Sequence, residues 1–183
     1  PQAVILRPSV MFGPEDNFFN RFAGMTRMGP VLPIVGGQTR FQPVFVDDVA
    51  AAAEKAVKGE AAPGIYELGG PDVQTFRELM QDMLTVIQRR RMIVNIPFWI
   101  AGVMGTVFDA GSAMTGGLVS APLTRDQVTS LRSDNVVAEG AKTFADLRIT
   151  PTAMEVVLPQ YLWRFRQTGQ YADITASARN LRT

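Results

Sequence analysis

The 183-residue sequence contains no cysteine and no histidine. Without cysteine, disulfides, thiolate nucleophiles and cysteine-ligated metals are excluded, and a reducing compartment is permitted. Without histidine, the commonest general base and metal ligand is missing, so catalysis within the chain would have to use carboxylates, hydroxyls, lysine or arginine. We therefore assign no metal site to this sequence.

A strong excess of charge of either sign is also missing. The formal net charge is +1, with 19% charged and 46% hydrophobic residues. These values are typical of a folded globular protein, and the length is that of one ordinary domain with a sizeable core. Nucleic acid is not an expected partner, because its phosphates are bound by basic surfaces.

Residues 92–108, MIVNIPFWIAGVMGTVF, form the longest uncharged run and follow three arginines at 89–91. A membrane span needs about 20 apolar residues, and this run is shorter and is interrupted by Asn95 and Pro97. We interpret it as a buried strand followed by a helix, and a helix lying on a membrane surface remains an alternative. The arginines are interpreted as cations that offset a helix dipole at its C-terminus.

The chain opens on the apolar run Val4 to Leu6, closed by Arg7 and Pro8. This pattern predicts a strand buried on both faces, as in the middle of a parallel sheet. Further strands at 44–46 and 65–68 alternate with helices, which is typical of a parallel sheet with crossover helices. A central strand needs a neighbour on each side, so we expect the chain to be part of a larger protein.

Several helices carry start signals. Asp16 or Asn17 can cap a helix over 18–28, and one of the pair Asp47 and Asp48 can cap a helix that follows at once. Capping boxes are indicated by Thr75 with Glu78 and by Thr124 with Gln127, and Thr150 with Pro151 predicts the start of the last helix. Pro159 should kink or shorten that helix.

Two of these helices have an apolar face. The predicted faces comprise Phe76, Leu79, Met80, Met83, Leu84 and Ile87 in one helix, and Met154, Val157, Leu158, Tyr161, Leu162 and Phe165 in the other.

Two motifs of dinucleotide-dependent enzymes are absent. No glycine-rich turn joins a strand to a helix, so the chain alone is not expected to cradle a pyrophosphate. None of the three tyrosines has a lysine four residues later. Such a lysine would lower the pKa of the phenol and make it a usable acid or base. We therefore expect no catalytic residue in this chain, and weak or no binding of NAD or NADP by the chain alone.

Three sequence blocks nevertheless resemble the second half of an extended short-chain dehydrogenase/reductase of the NAD-dependent epimerase/dehydratase family. They are ILRPSVMFGP at 5–14, FQPVFVDDVAAA at 41–52 and IYELGGPDVQTFRELM at 65–80. Two more, APLTRDQVTSLRSDNVV at 121–137 and PQYLWRFRQTGQY at 159–171, resemble a narrower branch, the accessory subunit of respiratory complex I and its bacterial relatives. In that family the glycine-rich loop and the Tyr-x-x-x-Lys pair would lie upstream of Pro1.

The resemblance implies an α/β fold, the C-terminal portion of an extended Rossmann-type protein with a mostly helical substrate-side domain. Residues 1–70 would hold the last strands and helix of the dinucleotide-binding layer, with 13–44 an excursion into the substrate side, and 71–183 would form the rest of that side. The implied cofactor is NAD or NADP.

The resemblance also assigns site residues. The backbone of Pro8, Ser9 and Val10 would border the nicotinamide, and Asn17 would line a substrate pocket. Arg40 would meet a substrate phosphate, a task that suits the planar guanidinium fork. The alternatives are helix capping for Asn17 and a solvated loop charge for Arg40.

The implied function is that of an NAD(P)-binding accessory protein of respiratory complex I. It would lie in the bacterial cytoplasm or on the cytoplasmic face of the inner membrane, or on the matrix side in a eukaryote. One alternative is an active epimerase, dehydratase or oxidoreductase that acts on a small or nucleotide-linked substrate. Another is a membrane-surface module that uses the arginines at 89–91 and the helix around Trp99.

Overall fold

The computed structural model describes residues 3–103, 129–167 and 169. The capping box expected at Thr124 and Gln127 lies outside them. Named in chain order, the strands and helices are β1 (Val4–Pro8), β2 (Met11–Phe12), α1 (Phe19–Met25), β3 (Val31–Val35), β4 (Arg40–Phe41), β5 (Val44–Phe45), α2 (Val46–Val57), β6 (Gly64–Leu68), β7 (Gln74–Thr75), α3 (Phe76–Val86), β8 (Met92–Ile96) and α4 (Met154–Leu162). Short 3-10 helices occupy Phe144–Leu147 and Trp163–Phe165.

Strand pairing is mostly parallel. Strands β1 and β6, β2 and β5, and β3 and β8 form parallel pairs, whereas β4 and β7 are antiparallel. Helix α2 crosses over between β1 and β6 and packs against β1. This confirms the predicted parallel arrangement with crossover helices, since parallel neighbours need such a connection.

Strand β1 is buried on one face only, which corrects the expectation of burial on both faces. Val4 and Leu6 pack on a core cluster built from β6, α2 and the first 3-10 helix. On the other face Ile5 is 46% exposed, and Ile65, its partner in β6, is 42% exposed. The physical reason is that only β6 pairs with β1 in the described part of the chain, and α2 covers a single face of that pair.

The larger core cluster lies among α1, α3 and α4. Edge-to-face and tilted ring contacts join Phe18, Phe22, Phe41 and Phe76 at its centre, with ring centroids 5.2–6.1 Å apart. All twelve residues predicted for the apolar faces of α3 and α4 are buried. The 3.6-residue spacing therefore identified both faces correctly.

The start of α3 confirms its predicted cap. The Thr75 hydroxyl oxygen accepts from the Glu78 backbone N–H, and the Glu78 carboxylate accepts from the Thr75 backbone N–H at 2.7 Å. The reciprocal pair satisfies two backbone donors at the helix start.

Helices α2 and α4 begin differently from expectation. Helix α2 starts at Val46, with both aspartates in its first turn and no side-chain cap, so Val46 is not in the strand. Asp48 instead accepts from the Thr152 backbone N–H at 2.6 Å and from its hydroxyl at 3.0 Å. Because that contact holds Thr152 outside the helix, α4 starts at Met154 with Ala153 as N-cap, and Thr150 does not cap it. Pro159 lies inside α4, which ends three residues later.

Asp16, and not Asn17, stabilises the start of α1. One Asp16 carboxylate oxygen accepts from the Asn20 backbone N–H at 3.2 Å, and the other accepts from the Gly13 backbone N–H at 3.3 Å. The same carboxylate accepts from the Tyr161 hydroxyl at 2.5 Å. Asn17 is exposed.

The arginines at 89–91 follow α3 and do not lie in its last turn, which corrects their expected role. Arg89 Nε donates to the Phe165 carbonyl at 2.7 Å, and Arg91 Nε donates to the Thr26 carbonyl at 2.9 Å. In return Arg166 Nε donates to the Val86 carbonyl at 3.0 Å. Carbonyl groups at the end of a helix have no backbone donor within that helix. The arginines donate to such carbonyls and so connect the ends of α1 and α3 with the segment after α4.

The uncharged run at 92–108 begins as expected, with strand β8 and then helical residues at 98–103. Strand β8 is half-exposed rather than buried, because β3 is its only paired neighbour among the described residues. No helix in the described ranges has the length and hydropathy needed to cross a membrane.

Candidate functional site

A cavity of about 270 Å³ lies where β1 and β6 end. Its inner wall consists of residues 7–9 and 67–68, and its outer wall consists of Ser130 and residues 133–137. The carboxyl ends of parallel strands are where α/β sheets bind ligands, because loops diverge there and leave a crevice.

Ser9 connects the two walls. Its backbone N–H donates to the Leu68 carbonyl at 2.9 Å, which extends the β1–β6 pairing by one residue. Its hydroxyl donates to the Asn135 carbonyl at 3.0 Å. This bond uses the hydroxyl proton but not the lone pairs of the oxygen, so the oxygen can still accept a hydrogen bond from a ligand.

The outer wall is fixed by strand-like contacts. The Asn135 backbone N–H donates to the Arg40 carbonyl at 2.8 Å, and its carbonyl accepts from the Gln42 backbone N–H at 3.0 Å. The Val137 backbone N–H donates to the Gln42 side-chain oxygen at 3.0 Å. Further along, the Ala138 backbone N–H donates to the Glu67 carboxylate at 2.8 Å.

Arg40 reaches the cavity rim through Asp134. Its backbone N–H donates to one Asp134 carboxylate oxygen at 2.8 Å, and its Nε donates to the other at 2.9 Å. These two contacts hold the pKa of Asp134 below its ordinary value. The Arg40 side chain is 59% exposed, and the guanidinium has five donors, so an approaching anion can still be bound.

The cavity brings some of the sequence-predicted residues together and leaves others out. Pro8 and Ser9 line it directly, and Arg40 is joined to it by Asp134. Val10 instead packs against the larger core, and its carbonyl accepts from the Val44 backbone N–H. Asn17 is not among the lining residues.

Sequence reasoning missed the outer wall. Residues 133–137, SDNVV, carry no catalytic or binding motif, and only the block resemblance over 121–137 marked that stretch. The lining carboxylates Glu67 and Asp134 both accept from backbone N–H groups. These contacts fix the orientation of both carboxylates at the cavity.

No protein-family model matches the sequence. Among curated proteins, the chain is 35% identical over 182 residues to the mitochondrial NADH dehydrogenase (ubiquinone) 1 alpha subcomplex subunit 9 of Arabidopsis thaliana. The match covers 97% of this chain and 45% of that protein. The chain is 31% identical to the mitochondrial NADH-ubiquinone oxidoreductase 40 kDa subunit of Neurospora crassa, with 93% of this chain and 44% of that protein covered. The chain thus spans less than half the length of the curated relatives it matches.

Solved structures show the fold. A dTDP-glucose 4,6-dehydratase of Bacillus anthracis in complex with NAD matches with a TM-score of 0.58 at 15% identity, over 87% of this chain and 43% of that one. A UDP-glucose 4-epimerase of Thermotoga maritima with UDP-glucose matches with a TM-score of 0.57 at 18% identity, over 91% of this chain and 47% of that one. The predicted α/β fold of an extended Rossmann-type protein is confirmed.

Proposed function

Since this chain is homologous to the complex I alpha subcomplex subunit 9 proteins and has a short-chain dehydrogenase/reductase fold, we propose that it forms one wall of a nicotinamide-dinucleotide site in an accessory protein of respiratory complex I. The observation that carries the proposal is the cavity at the ends of β1 and β6, lined by Pro8 and Ser9. Its position is that of ligand sites in α/β sheets.

In this proposal the backbone of Pro8 and Ser9 borders the nicotinamide, and Arg40 meets a phosphate of a bound ligand. The assignment of Val10 to the nicotinamide rests on the resemblance alone. The assignment of Asn17 to a substrate pocket rests on the resemblance alone. The proposed division is 1–70 for the dinucleotide layer, with 13–44 reaching into the substrate side, and 71–183 for the remainder of that side.

We favour a protein that binds the nicotinamide dinucleotide without catalysing a reaction over an active enzyme. The curated relatives are named as complex I subunits, which favours an accessory role. This chain has no Tyr-x-x-x-Lys pair, but the family's pair would lie outside it, so that absence favours neither role. Retention of that pair elsewhere in the parent protein would favour the alternative, an epimerase, dehydratase or oxidoreductase. The relatives are named as mitochondrial proteins. The proposed location is the matrix side of the inner membrane in a eukaryote, or the cytoplasm or the cytoplasmic face of the inner membrane in a bacterium.

The test is a titration with NADH and NADPH, followed by protein fluorescence or heat, on the full-length parent and on this chain. We expect the parent to bind and this chain to bind weakly or not at all. In the parent, Ser133→Phe would fill the cavity from an exposed position and should weaken binding by about tenfold or more.

The matched control is Ala53→Phe, which adds the same ring at an exposed position of α2 away from the cavity. It should leave nucleotide affinity unchanged. Equal affinity of the parent and its Ser133→Phe variant, or tight binding by this chain alone, would show that the nucleotide site lies elsewhere.

A second candidate function is contact with a membrane surface. Large apolar side chains that are exposed to solvent favour it. Trp99 is 71% exposed, Met92 is 68% exposed and Val103 is 61% exposed, close in sequence to the arginines at 89–91. Exposed aromatic and apolar side chains close in sequence to basic residues suit contact with anionic lipid. Co-sedimentation with anionic liposomes at low and high salt tests it, and no sedimentation at either salt would exclude it.

A further inference from the structure

A groove of about 510 Å³ runs between α3 and the start of β8. It is lined by four arginines, Arg77 from α3 and the three at 89–91 from the connection to β8. None of its described lining residues is acidic. It shares no lining residue with the cavity at the ends of β1 and β6.

Three of the arginines are held in place by backbone carbonyls. Arg89 and Arg91 each use Nε on a carbonyl of another segment, at 2.7 and 2.9 Å. Arg77 Nη1 reaches the Ile93 carbonyl across the groove at 3.5 Å. Because each guanidinium has five donors, these contacts fix the side chains and leave donors for a ligand. Arg90 is exposed at the edge.

Among the described residues, no ion pair joins an arginine of the groove to a carboxylate. The carboxylates of α3 contact other groups. Glu78 is engaged in the capping box, and Asp82 accepts from the Gln74 side-chain amide at 2.9 Å. Burial, and next the charges of Arg91 and Arg27, hold the pKa of Arg89 below its ordinary value. An anion bound at this position would therefore relieve repulsion among like charges.

We propose that the four-arginine groove is a binding site for a phosphate-bearing ligand. A guanidinium group binds two phosphate oxygens at once with planar geometry and charge assistance, and several guanidiniums lining one groove favour a multiply charged phosphate over a monovalent anion. The groove is larger than one phosphate, so it fits a phosphate ester or a diphosphate. The source is either a soluble phosphate compound or the headgroup of an anionic phospholipid.

The test uses the full chain and two probes, inorganic pyrophosphate followed by titration calorimetry, and vesicles of phosphatidylcholine with or without phosphatidylglycerol followed by co-sedimentation. Arg90→Gln removes one groove charge at an exposed side chain, and Arg77→Gln is a second, independent groove variant. The matched control is Arg21→Gln, which removes the same charge from an exposed residue of α1 outside the groove. Thermal unfolding establishes that all variants fold.

We expect saturable pyrophosphate binding that weakens about tenfold in each groove variant and is unchanged in Arg21→Gln. Vesicle binding that shows the same selectivity, and that pyrophosphate displaces, would identify the source as a lipid headgroup. Selective pyrophosphate binding without vesicle binding would identify a soluble compound.

Absence of saturable binding of either probe, or equal weakening in the control and groove variants, would overturn the proposal. Arg7→Gln alters the cavity at the strand ends and should not change pyrophosphate binding. If it does, the probe is binding at that cavity and the groove is not the site. The Arg7→Gln variant therefore distinguishes an error in the proposed phosphate site from an error in the proposed nucleotide site.

Discussion

Arg40 and Asp134 are joined by two hydrogen bonds, one from the arginine backbone N–H and one from its Nε, each to a different oxygen of the same carboxylate. The pair connects β4 to the outer wall of the cavity across 94 sequence positions. Its side chains are exposed enough for solvent to weaken the attraction.

Asp134→Asn should lower stability slightly at neutral pH and leave it unchanged in strong acid. Because Arg40 holds the pKa of Asp134 below its ordinary value, the stabilisation is complete above the unfolded-state pKa and is lost as the pH falls through the lower folded-state pKa. Thermal unfolding of both proteins across the acid range measures the difference. A difference in stability that persists in strong acid would contradict the claim that the ionised Asp134 carboxylate stabilises the fold through Arg40.

Gly70→Ala should destabilise the chain by about 2 kcal/mol. A Cβ at Gly70 would lie 2.0 Å from the Pro43 carbonyl oxygen, and backbone cannot move as easily as a side chain. The control is Gly29→Ala, where a Cβ meets nothing within 4 Å, with an expected change within about 0.5 kcal/mol. Urea unfolding compares the two, and equal stability of both variants would refute the steric argument.

Arg89→Met should cost about 1–2 kcal/mol, because the Phe165 carbonyl loses a charged donor at 2.7 Å. Arg90→Met removes the same group from an exposed residue whose side chain makes no described hydrogen bond, and it should be close to neutral. Chemical unfolding of both variants measures the contrast. A larger loss in Arg90→Met would show that the arginine-to-carbonyl contacts do not hold the helix ends together.

Tyr161→Phe should cost about 1.5 kcal/mol at neutral pH through loss of the hydroxyl bond to Asp16. Burial first, and then the Asp16 carboxylate, raise the pKa of Tyr161. The stabilisation is therefore full below the unfolded-state pKa of tyrosine and declines as the pH rises above it. The advantage of the unsubstituted protein over Tyr161→Phe should shrink and then reverse as the pH rises past the unfolded-state pKa, because burial penalises the tyrosinate and phenylalanine does not ionise. A constant difference over this pH range would argue against the coupling.

Local patterns in the sequence were sufficient to find the main helices. The apolar spacing in α3 and α4 predicted which side chains are buried, and the Thr75–Glu78 pair marked where α3 begins. The alternation of strand and helix predicted a parallel sheet, and the structure shows β1 parallel to β6. In the helices, the controlling interactions lie within a few residues of one another.

Contacts between distant residues could not be found in this way. Nothing near Thr150 indicates that Asp48, 104 positions before Thr152, holds this segment outside the helix. The pairing of Arg40 with Asp134 is equally remote, so the sequence marked the arginine but not its partner. Such pairs depend on how complete elements pack, and no local periodicity or propensity records that.

The bond from Ser9 to Asn135 spans 126 positions and has a consequence for the order of events when the chain folds. Strands β1 and β6 can meet once the chain up to Leu68 is available. The outer wall must wait for a segment that is synthesised much later, and closing so long a loop costs more entropy than local pairing. The cavity is therefore completed at a late stage, and amide protons at 133–138 should gain protection from exchange after those of the β1–β6 pair.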